Sequence, residues 1–397
     1  MFNLTPMTPV SLLPIIPILI LIGLVVLPVS RLLGIQAPQG KYRTIDGLRG
    51  YLAFFVFLHH SVVWYYFLHT GSWSFPPSAL YHHLGPGSVS FFFMITAFLF
   101  FSKLMDAREK GIDWSKLYIS RFLRILPLYF FLLILLFLIT GIVTGWKLNE
   151  SPSQLLRHIF GWLLFMEPNL NGVTLRLVIA GVIWSLAFEW LFYFSLPFWG
   201  LLLFRLKPSA MVLLFAAAGL ALFVWVIYSF YPVMAWQRMS AFIGGMLAAY
   251  VVKLPGFRET ASHWSTTIFI IGLLYIAIFI IPPFNYPFSL LCFGACFLGI
   301  AGGNTLFGLL TLKASRLLGQ ISYSIYLLHG LLLFSTYNFV ISFRVVQQLS
   351  PQNYWLMITG IAVVLIIICC ITYRFIEKPC LEAADNATKR IKQIIPT

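Results

Sequence analysis

Arg49, His60, Arg121, Arg124 and Glu189 are the residues whose types and spacing can do chemistry. An imidazole takes up a proton, a carboxylate orients it, and guanidinium groups hold phosphate. Arg49 and His60 lie in one stretch, Arg43 to His60, which opens with Arg43, Asp46 and Arg49 and then turns apolar. On an α-helix, residues 11 apart return to within about 20° of the same face and stand roughly 16 Å apart along the axis. That rise is half the hydrocarbon thickness of a bilayer. With Arg49 at the membrane surface, His60 lies near the midplane, and His59 is turned about 80° away from that face.

Glu189 differs in kind from the other carboxylates. Of the 11 acidic residues it alone falls inside an apolar run, Trp184-Ser-Leu-Ala-Phe-Glu-Trp-Leu-Phe-Tyr193. An unpaired carboxylate there costs several kcal/mol, so it must be paired or protonated. Beside His60 it would favour imidazolium and select the ring tautomer, as a general base requires. The same two residues can equally form a structural bond between helices. His329, in Ser322-Tyr-Ser-Ile-Tyr-Leu-Leu-His329, is a third ionisable group in an apolar run and by itself reads first as a packing residue. Arg121 and Arg124 sit i, i+3 on one helix face. They can grip a phosphorylated group two oxygens at a time, or simply mark the cytoplasmic end of a span.

The elements that must position these groups are membrane helices. The chain of 397 residues is 60% hydrophobic and 9% charged, with a mean hydropathy of +0.92. A soluble domain carries about 25% charged residues. The expected architecture is all-α, a polytopic bundle of about 11 spans. They are expected near 10–30, 50–68, 87–102, 125–145, 178–204, 209–230, 239–252, 265–282, 287–310, 319–343 and 354–373. On that division 21 of the 26 Lys and Arg fall in alternate connections, which orients the N-terminus outside and the C-terminus inside. The net charge of +15 is thus spread in short clusters between spans, unlike the continuous patch of a nucleic-acid binder. No Lys or Arg precedes Arg31, so the first apolar run is expected to be an uncleaved helix. The stretch 146–177 reads as an external loop with an interfacial or re-entrant helix near His158 to Met166. The uncharged loop 69–86, rich in His, Trp, Tyr and Pro, reads either as an interfacial aromatic belt or as part of a wall for a sugar. The five cysteines lack zinc-site spacing and any disulfide framework, and no metal is expected.

Together these segments resemble the acyltransferase 3 family of integral-membrane acyltransferases. The likeness rests on Asp46-Gly-Leu-Arg49-Gly followed by His60, on Phe91-Phe-Phe-Met-Ile-Thr-Ala-Phe98, and on Arg121-x-x-Arg124-x-x-Pro127. It rests also on Trp184-Ser185-Leu-x-x-Glu189-x-x-Phe-Tyr193 and on Ser322-Tyr-Ser-x-Tyr-Leu-x-His329. The family usually has Ser-Gly where this chain has Thr96-Ala97, which keeps a hydroxyl and adds a methyl. The resemblance implies an extra helix over 1–34, an acyltransferase membrane domain over 35–376 and a short cytoplasmic tail over 377–397. A fused extracellular hydrolase-like domain, carried by some members, is not expected.

The activity implied is transfer of an acyl group, acetyl as the family's common case, from cytoplasmic acyl-CoA to a hydroxyl of an envelope or exported carbohydrate. Acyl-CoA would be a donor substrate, with no permanently bound cofactor. By matched position Arg121 and Arg124 hold CoA phosphates, and Arg49 places the donor. His60 is base or transient acyl carrier, and Glu189 orients it. Asp46, Thr96, Trp184, Ser185, Tyr193 and His329 are supporting positions. The implied partners are acyl-CoA, a carbohydrate acceptor and the bilayer of a bacterial inner membrane, with no nucleic acid. Oligomeric state is left open. Two other classes fit the composition: a multi-span transporter of a small polar substrate, against which the lack of repeated halves counts, and an envelope assembly subunit in which Glu189 and His60 only pack.

Overall fold

The structure is a computed structural model and describes residues 7–231, 233–283 and 285–384. The tail from Asp385 and the side chain of Arg238 lie outside the described residues. Helices are the regular elements among the described residues, apart from one β-bridge between Leu170 and Val173. The twelve principal ones are α1 (Ile15–Leu32), α2 (Arg43–Thr70), α3 (Pro86–Lys110), α4 (Trp114–Val143), α5 (Trp184–Phe204), α6 (Ala210–Phe230), α7 (Val233–Val251), α8 (Trp264–Tyr275), α9 (Tyr286–Gly302), α10 (Lys313–Gln320), α11 (Ser322–Ser335) and α12 (Pro351–Thr372). Apolar surroundings force this choice, because a helix satisfies its backbone polar groups within one segment.

Among the described residues seven helical stretches are long and apolar enough to cross a bilayer. The α10–α11 pair meets the same test as a unit bent by 67°, and Met239–Val251, Trp264–Ile280 and Tyr286–Gly302 are shorter apolar helices. The protein is therefore a multi-pass membrane protein. Its outward faces confirm the solvent. On α1, Ile18, Ile22, Val26 and Ser30 form a buried stripe, while Ile16, Ile20 and Leu24 on the opposite stripe are each about 60% exposed. Such a face is stable against lipid and would aggregate in water.

Boundaries differ from expectation where a cap or charge extends a helix past its apolar run. α2 begins at Arg43 rather than near residue 50, with Asp46 in its first turn, where a carboxylate suits the positive helix end. It closes on Gly71 at φ 72°, whose N–H reaches the Phe67 carbonyl at 2.8 Å. In the loop after α4 the helix is Pro152–Leu163, starting six residues before His158. The cause is a capping box in which Ser151 and Gln154 satisfy each other's backbone N–H groups. At 12 residues this helix is too short to span.

The chain divides into two compact units, Met1–Phe92 with Pro255–Ile371, and Phe93–Leu254 with Thr372–Thr397. In the first, α2 packs on α10 and α11, and α1 packs on α10. The α2–α10 crossing is made by glycines. A Cβ on Gly319 would stand 1.7 Å from the Asp46 carbonyl oxygen, and one on Gly50 2.6 Å from Leu318 Cβ. Gly47 meets the Leu310 carbonyl oxygen as closely, at 1.9 Å. Small residues let backbones approach where lipid supplies no hydrophobic drive. In the second unit α5 packs on α6, with Gly219 facing the Phe194 ring.

Candidate active site

In the first unit α2 carries both ends of the expected constellation on one unbroken helix. Near its start, Arg49 and Arg316 flank the Asp46 carboxyl. Arg316 also donates to the Pro38 carbonyl at 3.1 Å, and Tyr51 shares a hydrogen bond with Ser315 at 2.8 Å. Eleven residues beyond Arg49, His60 Nδ1 lies 2.9 Å from His329 Nε2, with the two ring planes within 23° of each other. His329 is fully buried on α11, and its own Nδ1 lies 3.0 Å from the Ile325 carbonyl one turn back. Trp73 lies parallel to the His60 ring at 6.3 Å, and His59 meets it edge-on at 4.8 Å. His59 is held separately, its Nδ1 2.6 Å from the Tyr81 carbonyl and its ring closed in by Gly85, where a Cβ would approach to 2.7 Å.

In the second unit α5 presents Glu189. Its Oε1 accepts from the Tyr193 hydroxyl, one turn along the same helix, and from Thr96 Oγ1 at 3.2 Å. Tyr193 also bonds the Arg121 guanidinium, whose carbon stands 5.3 Å above the Phe100 ring. The chain Thr96–Glu189–Tyr193–Arg121 therefore joins a carboxylate in the second turn of α5, nearer the helix start than the mid-span position expected from sequence, to a cation through one phenol. Arg121 Nε is buried with no hydrogen-bond partner. Arg124 has its NH1 3.7 Å from Glu377, a carboxylate with a fully buried side chain in the wide helical turn Tyr373–Glu377 that continues α12. Trp184 packs edge-on against Phe93 and Phe188, and Ser185 donates to the Val182 carbonyl.

His60 and Glu189, expected as a pair, lie in different units, and each has partners of its own. His60 has its Nδ1 held by His329, where a carboxylate was expected, and Glu189 is held by Tyr193 and Thr96. The i, i+4 spacing of Glu189 and Tyr193 was a readable signal for that pair. The Arg124–Glu377 and His60–His329 pairs span more than 200 residues and had no local signal. At Thr96-Ala97 the hydroxyl is used, and Gly245 on α7 accommodates the added methyl, its own Cβ position lying 2.8 Å from Ala97 Cβ. Glu377, assigned from sequence to the start of the tail, is part of the packed core.

A second buried carboxylate lies outside the spans. Glu167 accepts from the Ile183 N–H at 2.8 Å, at the N-terminus of α5, with Arg176 3.9 Å away. Burial raises its pKa to about 7, against the opposing pull of Arg176 and the Ile183 and Trp184 N–H groups.

One unit holds a histidine pair among apolar helices and the other a carboxylate–phenol–guanidinium chain, which together define a membrane protein with polar groups set inside its helical units. Residues 42–374 match the acyltransferase 3 family, described as an acyltransferase domain, and the chain belongs to that family. No curated protein and no solved structure matches it. The match begins at the residue before α2 and includes every residue of both clusters except Pro38 and Glu377. The protein is accordingly a membrane acyltransferase.

Proposed function

We propose that the protein transfers an acyl group, acetyl as the first candidate, from cytoplasmic acyl-CoA to a hydroxyl of an envelope or exported carbohydrate. The carrying observation is the state of His60 in a chain of this family: Nδ1 is engaged, and no hydrogen bond among the described residues occupies Nε2. A ring held at one nitrogen and open at the other is what a general base needs. His60 takes the proton of the acceptor hydroxyl. The oxygen forms a bond to the thioester carbonyl carbon, the C–S bond breaks, and CoA leaves as its thiol after receiving the proton from His60.

Arg121 and Arg124 bind CoA phosphates, and Arg49, flanked by Asp46, places the donor. The unpartnered Arg121 Nε supports an anionic ligand, since a buried guanidinium N–H left unpaired is costly. Glu189, with Tyr193 and Thr96, holds that guanidinium in place, and Trp184 and Ser185 fix the start of the helix that carries Glu189. The proposed topology is about 11 spans in a bacterial inner membrane, with the N-terminus outside and the C-terminus inside. The seven long helices, the bent pair and the three shorter apolar helices support that number.

The test uses the purified full-length protein in lipid nanodiscs with radiolabelled acetyl-CoA and host surface glycan. Thiol release should accompany base-labile label on the glycan. His60→Ala should lower transfer by about 100-fold or more. Undiminished transfer by folded His60→Ala, or label uptake without thiol release, would overturn the reading.

A further inference from the structure

The partners of His329 settle which nitrogen of each ring bears a proton. His329 Nδ1 lies 3.0 Å from the Ile325 carbonyl, and the Tyr326 backbone carbonyl also faces the ring; both are acceptors, so Nδ1 carries the hydrogen. The ring is fully buried and no carboxylate is among its partners, His60 and the Ile325 and Tyr326 backbone, which leaves the neutral imidazole as the stable form. A neutral ring protonated at Nδ1 has a lone pair at Nε2. That lone pair points at His60 Nδ1, 2.9 Å away, so His60 Nδ1 must be the donor. The Val56 carbonyl, one turn back on α2, also faces the His60 ring and is likewise an acceptor. His60 is then left with its lone pair on Nε2.

We propose that His329 is the positioning residue of the acyltransferase, acting as an obligate hydrogen-bond acceptor that holds His60 in the tautomer whose Nε2 is the base. The inference rests on the reading of His60 as general base. It assigns to an imidazole, anchored by a helix carbonyl, the part a carboxylate takes in the familiar triads. A carboxylate would add a charge to be desolvated among apolar helices, whereas a neutral imidazole selects the tautomer without one. As Nε2 takes the acceptor's proton, His60 becomes cationic and its Nδ1–H bond to His329 becomes charge-assisted and stronger.

Acceptor and donor replacements at 329 separate this role from simple packing. His329→Gln keeps an acceptor oxygen within reach, and His329→Met fills similar volume without a comparable one. Transfer should remain within about tenfold of the original in His329→Gln and fall about 100-fold in His329→Met, with similar KM for acyl-CoA. Nitrogen-15 solid-state NMR of histidine-labelled protein gives a readout independent of turnover. Signals lost in His60→Ala should show a protonated Nδ1 and a bare Nε2, and His329→Met should mix the two tautomers. Equal transfer by the Gln and Met variants, or a His60 protonated at Nε2 in the unmodified protein, would overturn the inference while leaving His60 as base. Full transfer by His60→Ala would instead remove the reading beneath it.

Discussion

A carboxylate in an apolar helix must find donors, and half-buried Glu189 finds them in Tyr193 and Thr96 rather than in a direct cation. The phenol stands between Glu189 and Arg121 and bonds both. Tyr193→Phe keeps the ring and removes that link, so it should cost about 1–3 kcal/mol in stability, whereas Thr96→Val, which removes the longer bond, should cost less. Thermal unfolding in detergent checks the order, and a Tyr193→Phe protein as stable as its parent would contradict it. Arg124 presents the opposite case. Its partner Glu377 has a fully buried side chain, so Arg124→Ala removes a counter-charge from a buried carboxylate and should destabilise by roughly 3 kcal/mol. A double variant with Glu377→Gln should recover much of that loss. If Arg124 acted on the donor alone, the second substitution would restore nothing.

Helix α2 is fixed by its glycines more than by its apolar side chains. Gly47, Gly50 and Gly319 bring backbone against backbone, which sets the position of Arg49. Alanine normally favours a helix by about 1 kcal/mol over glycine. Here the carbonyl of Asp46, 1.7 Å from the added atom, reverses the sign. Gly319→Ala should destabilise by about 1–3 kcal/mol or abolish folding, and Gly272→Ala, with open space around it, should not. Detergent-solubilised yield and melting temperature distinguish the two.

The start of α5 carries a titratable cap. Burial lifts the Glu167 carboxyl from 4.5 to about 7 in the fold, so between those values the folded state holds the proton that the unfolded chain has released. Stability contributed by this group therefore falls as pH rises from about 4.5 to 7 and levels off above. The span corresponds to roughly 3 kcal/mol. Glu167→Gln should flatten that part of the melting-temperature profile, and an unchanged slope would count against the assignment.

Over the whole molecule the chain folds as two interleaved units, and the units recruit segments far apart in sequence. His60 and His329 meet inside the first, and Arg124 and Glu377 inside the second. The proposed topology places Arg49, Arg121 and the tail on one side of the membrane. Reporter fusions after Lys207 and after Arg374 should both read cytoplasmic, and one after Gly172 should read external. An external signal at Arg374 would invert the final span and remove the inward location of the C-terminus.

Composition and charge spacing alone determined that this is an all-α membrane protein. The 11-residue interval from Arg49 to His60 likewise determined that both share a face, because helical periodicity and the cost of charge in lipid act along a single segment. The place of Glu189 as a carboxylate needing partners was equally local. Which partners it and His60 obtained was decided only by the tertiary structure. A hydrogen bond between residues 269 apart depends on how glycines let helices cross, and no periodicity in one helix records its neighbour. The carbonyl behind His329 then decides which nitrogen of His60 is free.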